Sequence, residues 1–398
     1  MAAGLNAEGE AMDHVNIGRL LPALAAAFLL TARPAPADVA VTANDSHSEN
    51  VDGVLGPAKN PPPDSVSIID LAQYPPKVIA TIAAPTSVVG APTSIWIAPD
   101  ESYAIVTAAT KVEPQNPDRI VPDDRVSVID LNPSPPRVVQ QVVSGEGANE
   151  VSVSPDGTLA LVANRAEGTL STFTVKGKRI EPAGKIDLGN VKSLPSSVAF
   201  LPDGKTALLT RSGDHRVDVL HIDGTKATID ERPLTTGVSP YTLDITRDGT
   251  LAAVSNMGRG NGDIDTVSLI DLTQQPFRTI ETIAVGHSPE GLKFSPDGKF
   301  LAVANIEGST KPASSSFFHD HGSLVMFAVE GKSLRRLAEA PIGRWSQGIA
   351  FSKDGRTILV CSMMDHGLDL FRWEDGKLTA DGKLDLGGGP AAIRTPWP

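Results

Sequence analysis

The chain has one cysteine in 398 residues, Cys361, so no disulfide can form within it. The spacings that mark zinc and covalent haem sites, His-Glu-x-x-His, Cys-x-x-Cys and Cys-x-x-Cys-His, are absent. Basic residues are in deficit: the formal net charge is −12, and −11 without residues 1–37. That balance disfavours nonspecific nucleic-acid binding, which calls for a basic face. Helix-period apolar patterning is hard to find, and the one long apolar run, Leu20–Leu30, is too short to cross a bilayer comfortably. Arg19 precedes that run and Ala35-Pro36-Ala37 closes it, so residues 1–37 read as an export signal, with Met12 as an alternative start. The mature chain is then expected to begin near Asp38, in the periplasm or outside the cell, with no membrane span left.

What the chain has in quantity is turn residues, 36 Gly and 32 Pro, and they recur in order. Ser295-Pro296-Asp297-Gly298 leads into Leu301-Ala302-Val303-Ala304-Asn305, and Ser154-Pro155-Asp156-Gly157 leads into Leu159-Ala160-Leu161-Val162-Ala163-Asn164. In such a turn Pro presets φ, Asp bonds nearby backbone and Gly takes a positive φ without steric cost. Related turns centre on Asp100, Asp203, Asp248 and Asp354, so successive turns are spaced 56, 47, 45, 49 and 57 residues apart. Each hairpin is followed by a third strand-like segment such as Val126–Asp130 or Thr169–Val175, and in several cases by a fourth, such as Arg137–Val143. Four strands at this period are a propeller blade. The two ends supply a seventh: Val39–Asn44, Ser65–Leu71 and Lys77–Ile82 lack a first strand, and Pro390–Pro396 provides it. The expected fold is all-β, a single seven-bladed propeller over residues 38–398, closed by pairing the C-terminal strand with N-terminal strands.

The Pro-Asp-Gly, Val-Ala-Asn and Val-Ser-Val-Ile-Asp segments together resemble the YVTN-repeat and lactonase-like seven-bladed propellers, which include phosphogluconolactonase-type enzymes. The resemblance covers nearly all of the chain after residue 37. It implies a lactone of a sugar acid or related acid as substrate, opened at one end of the central channel. The matching motifs are turns and strands, so no catalytic set carries over with them.

Antiparallel strands sort the loops by face. The Pro-Asp-Gly turns share one face, here the lower; first-strand starts and the loops between second and third strands share the other. Three of those upper loops are long: Asp45–Asp64, Ala109–Asp124 and Ile306–Gly322. Gly258-Arg259-Gly260-Asn261-Gly262 matches no dinucleotide pattern and reads as a flexible loop. Seven residues before each turn Asp stand Thr93, Asn149, Ser196, Tyr241, Glu290, Gln347 and, at the closing blade, Ala391. Eight residues after it stand Ala108, Asn164, Arg211, Asn256, Asn305 and Ser362, with Asn44 in the closing blade. Lactone opening needs a base for water and a cation or donor for the oxyanion. The candidate catalytic residues are Glu290 and His287; the candidate ligand-binding residues are Arg344, Arg211, His215, Tyr241, Asn256 and Asn305. His319 and His321 could offer imidazoles to a divalent metal, although two ligands in one loop make a thin site and no cofactor is identified. The arginines suit a small acidic molecule. Two other readings stay open: a non-catalytic binding propeller whose upper loops hold a protein partner, and a metal or redox accessory protein using the upper-face histidines.

Overall fold

Every Pro-Asp-Gly turn named above joins the first two strands of a four-stranded antiparallel sheet, and seven such sheets form a propeller ring. This is a computed structural model, and the structure describes residues 38–396. The expected signal segment therefore lies outside the described residues. Blade 3 shows the common plan: Ala148–Val153, Leu159–Asn164, Thr169–Val175 and Ile180–Asp187, each paired with the next. Blade 1 is assembled from both ends of the chain, in the order Gly389–Arg394, Val39–Asp45, Ser65–Asp70, Lys77–Ala83. Its closing pair runs antiparallel with Val41 opposite Arg394 and Thr42 opposite Ile393.

Alternating side chains bury both faces of the inner strands. Leu161, Leu170, Val198, Leu209 and Leu220 fill the wedge between blades 3 and 4. Cys361 lies in another such wedge, beside Leu359, Leu368 and Ile393, and is fully buried as a core thiol. Helix is confined, among the described residues, to three single 3-10 turns.

Two of the long upper loops, Asp45–Asp64 and Ala109–Asp124, contain hairpins of their own. Ser48–Val51 pairs with Val54–Pro57, and Thr110–Glu113 pairs with Asn116–Pro122. The first hairpin turns on Asp52-Gly53, both at positive φ, which is the two-residue turn that matches strand twist.

Candidate functional site

The channel lining is set by a device repeated between blades. A hydroxyl near the end of one blade's second strand donates to the carbonyl of the next blade's channel residue. Thr107 holds Asn149 in this way, Thr210 holds Tyr241, and Ser255 reaches Glu290 at 3.5 Å. Thr242 adds a second bond to the Glu290 carbonyl. These hydroxyls stand seven residues after the turn Asp of their blades, a periodic signal present in the sequence itself.

Thr93, Asn149, Ser196, Tyr241, Glu290 and Gln347 are all buried at the upper end of the channel. A connector between blades 1 and 2, residues 84–94, lies across them. Val88 N–H donates to Asp45 at 2.8 Å, and Thr86 donates to the Asn44 carbonyl at 2.7 Å. The Val88 side chain packs with Met363 and Ala391, and Val89 and Trp345 join them. Gly90 reaches furthest: at φ +108, a Cβ there would fall 1.6 Å from the Asn149 amide oxygen, so backbone must pass where no side chain fits.

Beneath this strap, Arg165 sits 5.3 Å from the Tyr241 ring centroid and donates to the Ser196 hydroxyl and the Leu194 carbonyl. Burial raises the Glu290 carboxyl to about 8; the nearby Gln347 amide, the Trp345 indole and the Arg165 charge pull it back only in part. Burial also pushes the Tyr241 phenol well up, with Arg165 opposing and Glu290 reinforcing that shift. Oε2 of Glu290, both polar atoms of the Gln347 amide and Oγ1 of Thr93 are buried without a hydrogen bond of good geometry. Glu290 still faces the Gln347 amide and the Trp345 indole, and Thr93 faces Glu150, so these polar atoms are loosely met by one another, an arrangement that suits a site receiving other donors and acceptors.

Of the residues singled out from sequence, the structure brings Glu290 and Tyr241 together. His287 belongs to a different cluster, under the loops of blades 5 and 6. Its Nε2 lies 3.4 Å from the Gly262 N–H, its own N–H donates to Glu307, and burial lowers its pKa against the pull of Glu307. Arg344 forms an ion pair with Asp365 at 2.8 Å on the half-exposed rim, leaving its neighbour Trp345 to face Glu290. His215 occupies the left-handed position that ends a 3-10 turn and accepts from Ser239 N–H. Arg165, which is not among the candidates named from sequence, is the charge at Glu290. Its placement follows from a short upper loop, residues 165–168, which leaves Arg165 at the channel.

The second ring of periodic residues does other work. Asn164 donates to Thr169 and Ser171, both at 2.9 Å, and Asn256 donates to Thr266 and Ser268, both at 3.0 Å. Asn305 donates to Ser323. These amides clamp second strand to third inside the blade. Arg211 fills the same position in blade 4 and is held by Asp214, Asp218, Ser193 and the Leu188 carbonyl.

His321 pairs with Asp320 on an exposed loop. The cluster of metal-ligand type among the described residues is instead Asp45, His47 and Asp64, whose candidate ligand atoms lie within 4.8 Å of one another. Its carboxylates are already engaged: Asp64 accepts from the His47 ring and two backbone N–H groups, and Asp45 accepts from Ser48 and Val88. Among the described residues no helix is long and apolar enough to cross a membrane.

Residues 196–339 match the model of the choice-of-anchor I domain. No curated protein matches the chain. Solved structures resemble it over most of its length. A Bacteroides uniformis protein provisionally described as a 6-phosphogluconolactonase is 15% identical, with 90% of this chain and 99% of that one aligned at a TM-score of 0.68. The periplasmic gluconolactonase of Pseudomonas aeruginosa is 18% identical, with 90% and 99% aligned at 0.66. A Desulfotomaculum acetoxidans protein of unknown function is 14% identical, with 91% and 99% aligned at 0.66. At such identities the likeness is one of fold, and at that level the chain is a seven-bladed propeller like theirs.

Proposed function

We propose that this protein is a lactonase-like hydrolase whose reaction takes place at the strapped upper end of the channel, on a lactone of a sugar acid or related acid. The observation that carries the reading is the Glu290 carboxyl, buried with an orphan oxygen and shifted to about 8, beside a phenol and a guanidinium. A carboxyl poised near the working pH can take a proton from water and return one. Water adds to the lactone carbonyl as Glu290 takes its proton; Arg165 faces the developing oxyanion. The ring C–O bond then breaks, the alkoxide is protonated from Glu290 or Tyr241, and a hydroxy acid leaves. Substrate entry requires residues 84–94 to swing aside. Export is part of the same reading, with residues 1–37 removed, and N-terminal sequencing of secreted protein should then begin near Asp38.

The test is a panel of aldonolactones and related lactones assayed with parent, Glu290→Gln and Arg165→Met. The glutamine is nearly isosteric but cannot carry the proton, so kcat should fall by about a hundredfold or more while the fold is kept. Unchanged kcat in Glu290→Gln, or no lactone opened by the parent, would remove the catalytic reading. The second reading, a non-catalytic binding propeller, has one observation in its favour. The tip of the first upper hairpin exposes Val51 by 60%, Val54 by 69% and Leu55 by 40%, a patch suited to an apolar partner surface.

A further inference from the structure

Three residues along each first strand from the upper ring, the same periodicity names a lower ring: Trp96, Ser152, Ala199, Asp244, Lys293, Ala350 and Arg394. All of this ring but Ala350 lines a pocket of about 90 Å³ that opens toward the Pro-Asp-Gly face, where Pro155 forms part of its wall. Apolar groups surround it, among them Val153, Phe200 and Ile245, and charged groups converge in it. Lys293 pairs with Asp244 at 2.7 Å, and the other Asp244 oxygen accepts from Phe294 N–H. Oε2 of Glu150 accepts from Val198 N–H at 2.7 Å, while Oε1 stands 3.7 Å from the Arg394 guanidinium, beyond hydrogen-bond reach. Arg394 is only 14% exposed. Burial raises Glu150 to about 8, with Arg394 opposing, so near neutral pH Glu150 is largely uncharged. Lys293 pairs with Asp244, Arg247 adds a cation at the rim, and Arg394 has the raised Glu150 carboxyl, 3.7 Å away, as its counter-charge, so cations outnumber anions in a largely apolar pocket.

We infer that this lower vestibule is a second binding site, for a small organic monocarboxylate seated on the Arg394 guanidinium with its short apolar body against Trp96, Val153 and Phe200. The guanidinium offers the fork that a carboxylate accepts in two places, and the pocket is far smaller than a drug-sized site of roughly 300–1,000 Å³. A neutral analogue of the same shape gains the apolar contact alone. The site lies at the opposite end of the channel from Glu290 and stands whether or not the protein is a hydrolase.

The probe is propionate, with propionamide as its neutral control, titrated into the whole protein by calorimetry and ligand-detected NMR. Propionate should bind at one site and propionamide should not. Arg394→Gln should weaken propionate binding by about tenfold or more, the usual weight of a charge-assisted bond. Affinity should fall as pH rises through about 8, where Glu150 becomes an anion that competes for Arg394, and Glu150→Gln should flatten that dependence. Arg394 lies in the ring-closing strand, so its variant is read only if its melting matches the parent; otherwise Trp96→Ala and Glu150→Gln carry the test. Glu290→Gln should leave propionate binding unchanged. Equal binding of propionamide, parent-like affinity in Arg394→Gln or Trp96→Ala, or an unchanged pH profile in Glu150→Gln would overturn the assignment.

Discussion

Glu290 and Glu150 are buried carboxyls in different blades, both raised to about 8. A carboxyl near 4.5 when unfolded and near 8 when folded holds its proton more tightly in the native state. Its favourable contribution is therefore complete below about pH 4.5 and is lost as pH rises through about 8. Replacing Glu290 by Gln removes that titration. Melting of parent and Glu290→Gln should nearly coincide at pH 5, and the variant should gain at pH 9 by an amount on the order of a few kcal/mol. A difference between the two proteins that does not change with pH would show Glu290 to be ionised throughout. Thermal melts across that range decide the matter independently of any activity.

The turns and strands were legible because their causes are local. Pro-Asp-Gly writes its geometry into three residues, and Thr169–Val175 and Arg137–Val143 coincide with the strands found. Which face a periodic residue meets was less legible. First strands begin with a register shift, as between Pro289 and Gly291 or Pro240 and Leu243, and such a bulge re-aims the side chains around it. Counting from the turn therefore found the channel ring around Glu290, but could not tell that Asn256, Asn305 and Arg211 turn into their own blades. The strap was not legible at all: no repeat motif marks residues 84–94, and what places them across the channel is the Val88 N–H on the distant Asp45 and the close approach of Gly90 to Asn149. The clamp makes its own prediction. Asn164 donates to two hydroxyls and accepts from Ser144 and Gly145, so Asn164→Ala strands several buried partners at once. We expect a loss of about 3 kcal/mol or more, since each unsatisfied buried group costs roughly 1–3 kcal/mol. Chemical denaturation should register it as a lower midpoint with unchanged slope; a shift under about 0.5 kcal/mol would mean the amide is replaceable by water.

At the scale of the ring, stability depends on one joint. Blade 1 takes its innermost strand from residues 389–394, and Ile393 and Ala392 are fully buried between blades 7, 1 and 2. Every other blade is continuous in sequence. Removal of residues 387–398 would leave Val39–Asp45 with one unpaired edge facing the channel and would uncover the apolar wedge beside Leu359 and Leu368. An open edge of that kind seeks another strand, and the nearest supply is a second molecule. The ring is also tied from the other end: Asp38 accepts from Lys353 N–H at 3.0 Å, and its carbonyl accepts from Leu71 N–H. Those bonds persist in a chain that starts at Asp38, so residues 38–398 should melt as the full chain does, cooperatively and as a single species by size-exclusion chromatography. The 38–386 fragment should lose that cooperativity and form oligomers at micromolar concentration, and the single change Ile393→Asp should do the same by placing a charge in the joint. If the fragment stays monodisperse with its melting unchanged, the C-terminal strand is an ornament rather than the closure. If only the fragment fails while Ile393→Asp is tolerated, the joint is held by its backbone pairing and not by the apolar contact around Ile393.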